Sequence, residues 1–316
     1  MQKRVSKIVK YALSLLLAAV LLYFSFRGIK WADFVAVLKE CSWGFVALSA
    51  LVGLGAYVVR ILRWRLLLLP VDGKMGRLLC YDAFAIGKMA DFVVPHVGEF
   101  VRCGVVARGS KAGYDKTLGT VLLERSWDII SLFVILLVLL ALKWEDFGVF
   151  FTEKIWQPMV GRFSVWLVLA LVAALAAVIA AVLLSKKAKA FLKGLWDGVA
   201  SCVRMERKGL FMLYTVLLWV LFLMMSMTII WALPENYGLG LSDALFIMLV
   251  GSIAGLVPVP GGFGAFHYLV ALALQTIYGI PFEMGIVFAT LSHETQAVMT
   301  LVAGGVAYLE RFILRR

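Results

Sequence analysis

Acidic and basic side chains are concentrated in one part of a chain that is otherwise apolar enough for a membrane interior. The charged and titratable residues of this part are Asp82, Lys88, Asp91, His96, Glu99, Arg102, Glu124, Arg125 and Asp128. Ionisable groups at membrane depth are costly, so they are expected to face a polar cavity or one another. Glu124 and Asp128 share a helix face, and Arg125 can pair with Asp128 three residues later. The pattern predicts a site for a charged ligand; alternatively, Arg102 and Arg125 only neutralise the carboxylates so that the bundle folds.

Two proline–glycine breaks interrupt apolar segments with the same pattern, Val-Pro-x-x-Gly-x-Phe. The first covers residues 94–100 and the second covers residues 257–263. In a membrane, a broken helix is tolerated only where it is buried or lines a polar cavity. Paired breaks at corresponding positions of two halves point to the binding site of a transporter. The sequence therefore predicts that Pro95 and Pro258 lie close together near the middle of the membrane.

The residues at the breaks suit more than one kind of ligand. Glu99 follows Gly98 where a half-helix would begin, and the free amides at such an end favour a phosphate. Glu99 can instead cap that helix or meet a cation, and these alternatives stay open. At the second break, Gly261 and Gly262 offer a backbone that a ligand can approach closely or that can pivot. Replacing both glycines by alanine is predicted to slow transport while insertion and topology stay intact.

The second half of the chain has few polar groups at membrane depth, chiefly His267, His293 and Glu294. A single histidine in such a place is more often a hydrogen-bonded structural residue than a ligand. Proton transfer is the alternative role.

Arg60 and Arg63 lie beside Trp64 at the end of the second apolar segment. One interpretation is a snorkelling belt with Trp64 at the membrane interface. The other is a basic mouth that gathers anionic headgroups. The net charge of +12 is explained by cytoplasmic loops rather than by nucleic-acid binding, since no basic soluble domain is present.

The composition is typical of a membrane protein. Of the 316 residues, 63% are hydrophobic and 16% are charged, and the mean hydropathy is +0.96. The sequence predicts a single polytopic membrane domain over residues 1–316, in which the longest polar segment, residues 185–208, is a loop. The four cysteines are scattered without a Cys-x-x-Cys pair, so neither a disulfide framework nor a metal site is predicted.

Six segments approach or exceed the length that a membrane-spanning helix needs, about 20 residues. They cover residues 11–26, 42–59, 117–142, 163–184, 209–233 and 284–308. Residues 78–94 and 242–280 are apolar but interrupted, which predicts two re-entrant hairpins or, alternatively, pairs of short spans. With both termini cytoplasmic, 24 Lys and Arg residues lie inside and six outside, as the positive-inside rule requires.

The order helix, helix, broken hairpin, helix occurs twice. Since the first half crosses the membrane three times, the second half begins on the opposite side. We therefore predict an all-α membrane protein with six full transmembrane helices, two broken, re-entrant hairpins and an inverted-topology repeat. Its halves are at about residues 1–142 and 163–316. No soluble-enzyme motif is found, so no catalytic residue, cofactor or metal is predicted.

Four motifs together resemble the lysylphosphatidylglycerol synthase transmembrane (flippase-like) family. They are Arg60-x-x-Arg63-Trp64-x-x-Leu67-Leu68, Pro95-x-x-Gly98-Glu99-x-x-Arg102, Leu123-Glu124-Arg125-x-x-Asp128 and Pro258-x-Pro260-Gly261-Gly262-x-Gly264. The family includes the membrane half of bifunctional proteins that make lysylphosphatidylglycerol and move it between leaflets, with aminoacyl transfer in a separate C-terminal domain. Because this chain ends at Arg316 without that domain, the resemblance implies the flippase-like activity and not the synthase. His293 and Glu294 depart from the arginine that the family often has near this position.

The sequence thus predicts a multi-pass protein of the cell membrane that is not an enzyme and moves a phospho- or aminoacyl-lipid between leaflets. The alternatives are an ion-coupled small-solute transporter and a non-transporting accessory to a lipid- or glycan-modifying enzyme. Expected partners are membrane lipids with anionic or aminoacylated headgroups, together with a second copy of the chain or a separate lipid-modifying enzyme. The predicted substrate-binding residues are Arg60, Arg63, Lys88, Pro95, Gly98, Glu99, Arg102, Glu124, Arg125, Asp128, Pro258, Pro260, Gly261 and Gly262.

Overall fold

The computed structural model describes residues 16, 19–23, 25–27, 29–148, 152–153, 157, 186–200, 205–235 and 237–314. Throughout these ranges the regular structure is helical, and no strand occurs within them. The α-helices with defined ends are α1 (Trp31–Glu40), α2 (Trp43–Leu68), α3 (Arg77–Ala90), α4 (Gly98–Gly109), α5 (Tyr114–Leu142), α6 (Lys186–Val199), α7 (Lys208–Ala232), α8 (Leu241–Ala254), α9 (Ala265–Tyr278) and α10 (Phe282–Leu309). The predicted all-α class is confirmed for the described residues.

Long and short helices alternate in the same order in both parts of the chain. Helices α2, α3, α4 and α5 have 26, 14, 12 and 29 residues. Helices α7, α8, α9 and α10 have 25, 14, 14 and 28 residues. The four long helices, α2, α5, α7 and α10, are long and apolar enough to cross a membrane. A helix of 14 residues is only about 21 Å long, whereas the hydrocarbon core is about 30 Å thick.

The remaining predicted spans differ in how far the structure describes them. Residues 163–184 and half of residues 11–26 lie outside the described residues. The span predicted at residues 42–59 is longer than expected, since α2 continues to Leu68 through three arginines. Apolarity alone underestimates the length of this helix, because two of those arginines are paired with acidic side chains inside the protein.

The loop predicted for residues 185–208 is wrong, because α6 occupies most of it and packs against α5. A Cβ placed on Gly198 would lie 2.7 Å from the Cα of Gly119. Two glycines therefore bring the backbones of α5 and α6 into direct contact. This contact stabilises α6, which could not be predicted as a helix from its polar composition alone.

Helices α3 and α4 form a hairpin around the first break. A Cβ on Gly87 would lie 2.7 Å from the carbonyl oxygen of Gly98, so the two arms touch through glycines. The backbone N–H of Gly98 donates a 2.7 Å hydrogen bond to Oδ1 of Asp91, which fixes the turn between them. The hairpin thereby presents the first residues of α4 to the neighbouring long helices.

Two large hydrophobic clusters form the core, each built mainly from one half of the chain with a few residues of the other. The first joins α2, α3, α4 and α5 around Trp64 and Phe84. The second joins α7, α8, α9 and α10 around Ile229 and Phe288. The halves are connected by α2, which packs along α7, and by α10, which packs against α3.

Candidate functional site

Seven ionisable residues from three helices meet in one group, which we call the charged cluster. Its members are Arg60 and Arg63 of α2, Glu99 and Arg102 of α4, and Glu124, Arg125 and Asp128 of α5. Arg60 and Arg63, Glu99 and Arg102, and Arg125 and Asp128 are each three residues apart, and Glu124 is four residues before Asp128, so each of these pairs lies on one helix face. The cluster contains four guanidinium groups and three carboxylates, which leaves one excess positive charge.

Glu124 is the centre of the charged cluster. Its carboxylate is fully buried and lies 3.6 Å from Nε of Arg60, 3.3 Å from Nη2 of Arg63 and 2.7 Å from Nη2 of Arg102. Arg63 and Arg102 are 0% and 2% exposed. Because buried ions need partners, these three residues act as a unit that holds α2, α4 and α5 together.

Aromatic rings enclose the inner side of the charged cluster. The guanidinium carbon of Arg102 lies 4.5 Å from the centre of the Trp64 ring, a cation–π distance. The indole N–H of Trp64 donates a 3.1 Å hydrogen bond to Oγ1 of Thr120, and Trp64 is fully buried. Trp64 is therefore enclosed by protein and does not face lipid, as a residue of an interfacial belt would. Arg63 is enclosed with it, so this end of α2 is not the exposed basic mouth or belt that the sequence suggested.

The outer side of the charged cluster is partly accessible. Arg125 keeps 32% of its side chain exposed, Glu99 21% and Asp128 16%. Arg125 lies 3.1 Å from Glu99 and 3.1 Å from Asp128. The prediction that Arg125 contacts an acidic partner, including Asp128 three residues later, is confirmed.

Replacing Arg125 by leucine removes two ion pairs but leaves both carboxylates with other partners. Glu99 keeps Arg102, and Asp128 keeps Arg60 and Arg63. We expect Arg125→Leu to lower the free energy of unfolding by about 1–3 kcal/mol, less than the loss of a fully buried partner. Thermal unfolding in detergent micelles measures this. A loss above that of Glu124→Gln would contradict the assignment of Arg125 to the outer side.

The two breaks are in direct contact. The backbone N–H of Gly261 donates a 2.9 Å hydrogen bond to the carbonyl oxygen of Asp91, just before the first break. The rings of Phe92 and Phe263 meet edge to face with centres 5.9 Å apart. The predicted closeness of the two breaks is confirmed.

A cavity of about 310 Å³ lies where the two breaks meet. Lys88, Asp91, Pro95 and His96 line it from the first half. Residues of the second half complete the wall: Gly255, Val257, Val259, Gly261, Gly262, His293, Gln296, Ala297 and Thr300. Lys88 lies 3.5 Å from Asp91 and also interacts electrostatically with Arg60, Glu99 and Arg125. The cavity and the charged cluster are thus parts of one polar region.

The second break is a tight turn and not a distorted helix. Gly261 has a φ of 60° and Gly262 a φ of 81°, both in the left-handed region. A residue with a Cβ, such as alanine, is strained at these φ angles. The high helix propensity of alanine gives no benefit here, because the turn is not helical. The turn itself therefore depends on both glycines, and the double alanine variant should lose stability. Its intact insertion and topology and its slower transport stay predictions.

A second polar group lies on the α9 and α10 side of the cavity. Oε1 of Glu294 is 3.4 Å from Nε2 of His267 and 3.2 Å from Nδ1 of His293. Nε2 of His293 is 2.9 Å from the carbonyl oxygen of Gly261. Sequence reasoning treated the histidines one by one and did not predict that they share a carboxylate.

Residues 11–304 match the family described as the lysylphosphatidylglycerol synthase TM region. The chain belongs to this family. Membership confirms the resemblance that the four motifs predicted, and with the four long apolar helices it identifies a multi-pass integral membrane protein linked to lipid modification. No curated protein and no solved structure matches the chain.

The family motifs fall into two places in the fold. The motifs of α2 and α5 supply the charged cluster and the motif at residues 258–264 forms the second break, whereas the motif at residues 95–102 forms the first break and also contributes Glu99 and Arg102 to the cluster. Among the predicted substrate-binding residues, Lys88, Pro95, Gly261 and Gly262 line the cavity. Gly98 instead packs against Gly87, and Pro260 is buried in the turn. Pro258 lies in the second break between two cavity-lining valines.

Proposed function

We propose that this protein moves a polar lipid between membrane leaflets, with the headgroup passing through the cavity where the two breaks meet. The observation that carries the proposal is the hydrogen bond from Gly261 to Asp91, which joins the breaks of two similarly ordered sets of helices beside a polar cavity. Broken helices that meet at a repeat interface are the usual place for a transporter's substrate.

The proposal also includes the way in which the chain crosses the membrane. Six full spans, two re-entrant hairpins and an inverted repeat, with both termini in the cytoplasm of a cell, would place the cavity near the middle of the membrane. The shortness of α3, α4, α8 and α9 supports re-entrant hairpins, since none is long enough for a full crossing.

The size and charge of the cavity suit a headgroup. A volume of about 310 Å³ is at the lower end for ligand sites, so the acyl tails would stay in lipid. The ammonium of Lys88 would bind a phosphate, and the Asp91 carboxylate would bind an amine such as that of an aminoacylated lipid. The protein itself would carry out no covalent chemistry.

The charged cluster would support this site. Arg63, Arg102 and Glu124 are buried and would keep α2, α4 and α5 rigid. Glu99 and Arg125 are partly accessible and would meet the headgroup as it enters or leaves. Rocking of one half against the other at the breaks would change which side the cavity faces.

Neutralising Lys88 tests the proposal. Lys88→Gln is expected to slow exchange of a labelled anionic phospholipid in proteoliposomes about tenfold or more, because a charge-assisted hydrogen bond to phosphate contributes about 1.5–3 kcal/mol. Lys74→Gln is the matched control, since Lys74 is exposed in the loop between α2 and α3.

Each outcome separates the proposed function from its competitors. Wild-type protein that accelerates exchange, with a slow Lys88→Gln variant and an unchanged Lys74→Gln variant, supports lipid movement. Wild-type protein that leaves lipid exchange at the rate of empty liposomes refutes it. Equal exchange by Lys88→Gln and wild type removes the cavity from the mechanism. Uptake of a small solute without lipid exchange would identify a secondary transporter.

A further inference from the structure

The grouping of His267, His293 and Glu294 has a geometry that the lipid-transport proposal does not use. One ligand atom from each residue lies within 4.8 Å of the other two. Both histidines approach the same oxygen, Oε1 of Glu294, at 3.4 and 3.2 Å. His267 is 1% exposed and the His293 side chain 12%, so the two histidines lie inside the protein, whereas the Glu294 carboxylate is partly accessible.

Hydrogen-bond chemistry assigns the lone pairs in this group. A carbonyl oxygen only accepts, so Nε2 of His293 carries the proton that it donates to Gly261 at 2.9 Å. In a neutral ring, Nδ1 of His293 then presents a lone pair to Oε1 of Glu294, which is also an acceptor. Among the described residues, Nδ1 of His267 has no hydrogen-bond partner. The ring proton can therefore lie on Nδ1, and Nε2 then presents a lone pair.

Lone pairs that converge from three residues need a positive charge between them. A proton added at Nδ1 of His293 lets that ring donate to Oε1, and His267 donates to the same oxygen only as its Nε2–H tautomer, which leaves the lone pair on its buried Nδ1 without a partner. A single metal cation satisfies all three atoms at once. We infer that His267, His293 and Glu294 form a binding site for a divalent transition-metal ion of the zinc class.

Two of the three separations between ligand atoms agree with such an ion, and the third, between the two histidine nitrogens, is within 4.8 Å. Ligand atoms about 2.0–2.1 Å from a tetrahedral zinc ion lie about 3.3 Å apart, close to the 3.2 and 3.4 Å separations. Two histidines and one glutamate are a known zinc ligand set that leaves a fourth position open. Imidazole ligands favour zinc over Mg²⁺, which prefers oxygen.

The surroundings meet two further requirements of a metal site. A ligating histidine usually donates its second N–H to a carboxylate or carbonyl, as His293 does to Gly261. An entry path exists because His293 lines the cavity and Glu294 keeps 40% of its side chain exposed. A bound ion would connect α9 to α10 and, through His293 and Gly261, hold the second break against Asp91.

Metal binding is tested directly, without reference to transport. Purified protein from which any affinity tag has been removed is dialysed against micromolar Zn²⁺, and bound metal is measured by mass spectrometry. We expect one Zn²⁺ per chain in wild type, and affinity at least about 100-fold weaker in His267→Gln and His293→Gln, since even supporting residues of metal sites contribute 10–100-fold. His96→Asn is the matched control, because His96 lines the same cavity outside the site and asparagine tolerates its φ of 56°.

A second measurement uses only wild-type protein and therefore does not depend on whether the variants fold. Co²⁺ bound to wild-type protein should give the visible absorption of a tetrahedral site, and Zn²⁺ should displace it and raise the thermal midpoint, whereas Mg²⁺ should do neither. Folded wild-type protein that binds no Zn²⁺ and gives no Co²⁺ absorption would overturn the inference. Full Zn²⁺ binding by both histidine variants, or equal loss in His96→Asn, would overturn it as well.

Discussion

Replacement of Glu124 by glutamine is expected to lower the free energy of unfolding by about 3–5 kcal/mol, the cost of removing one partner from a buried ion pair. The side chain keeps its size, so the effect isolates the charge. The four arginines of the charged cluster would then share two carboxylates, Glu99 and Asp128, in place of three. The measurement is unfolding in detergent micelles, with the yield of monodisperse protein as a second readout.

Two comparisons sharpen this prediction. Glu235→Gln is the control, because Glu235 is exposed and its loss should change stability by less than about 0.5 kcal/mol. Removing a buried positive charge at the same time should recover part of the loss. The Arg63→Gln, Glu124→Gln double variant should therefore lose less free energy of unfolding than the two single variants lose in total. A Glu124→Gln variant as stable as wild type would show that the cluster does not hold the helices together.

Substitution of Gly261 by alanine should affect both stability and transport. The φ of 60° costs a residue with a Cβ about 1–2 kcal/mol. The added Cβ would lie 2.8 Å from the Phe92 ring and 2.9 Å from the Phe263 ring, and such overpacking costs about 1–3 kcal/mol. Because the strain falls on the turn that contacts Asp91, we expect lipid exchange in proteoliposomes to fall with stability.

Two further glycines separate the causes. Gly262→Ala has a φ of 81° but only one contact, at 3.4 Å from Nε2 of His293, so it should lose stability chiefly through backbone strain. Gly305→Ala is the control, since Gly305 lies within α10 with nothing within 4 Å of the added Cβ, and alanine favours a helix. If Gly261→Ala matched Gly305→Ala in stability and exchange, the contact between the breaks would have no part in the mechanism.

Local sequence patterns were sufficient for the class of the protein and for its long apolar helices among the described residues. Apolar runs define α5, α7 and α10 to within a few residues, because burial in lipid depends on composition along one segment. Proline and glycine stop the short helices near residues 95 and 258, because their effect on the backbone is local. Motifs of closely spaced residues were also enough to identify the family.

Other features could not be predicted because they depend on neighbours from distant parts of the chain. The α6 helix is polar by composition and is stabilised by glycine contacts with α5. Trp64 resembles an interfacial residue until Thr120 and Arg102 are seen to surround it. A pattern of charges indicates that partners exist without specifying which carboxylate each arginine contacts.

The sequence by itself determined that this is a helical membrane protein with two breaks and charged residues in its apolar segments. Only the tertiary structure decided that Gly261 contacts Asp91 and that His267 and His293 share Glu294. The physical reason is the range of the interactions. Helix length and chain breaks follow from neighbouring residues, whereas ion pairs, cavities and metal ligands form between segments brought together by packing.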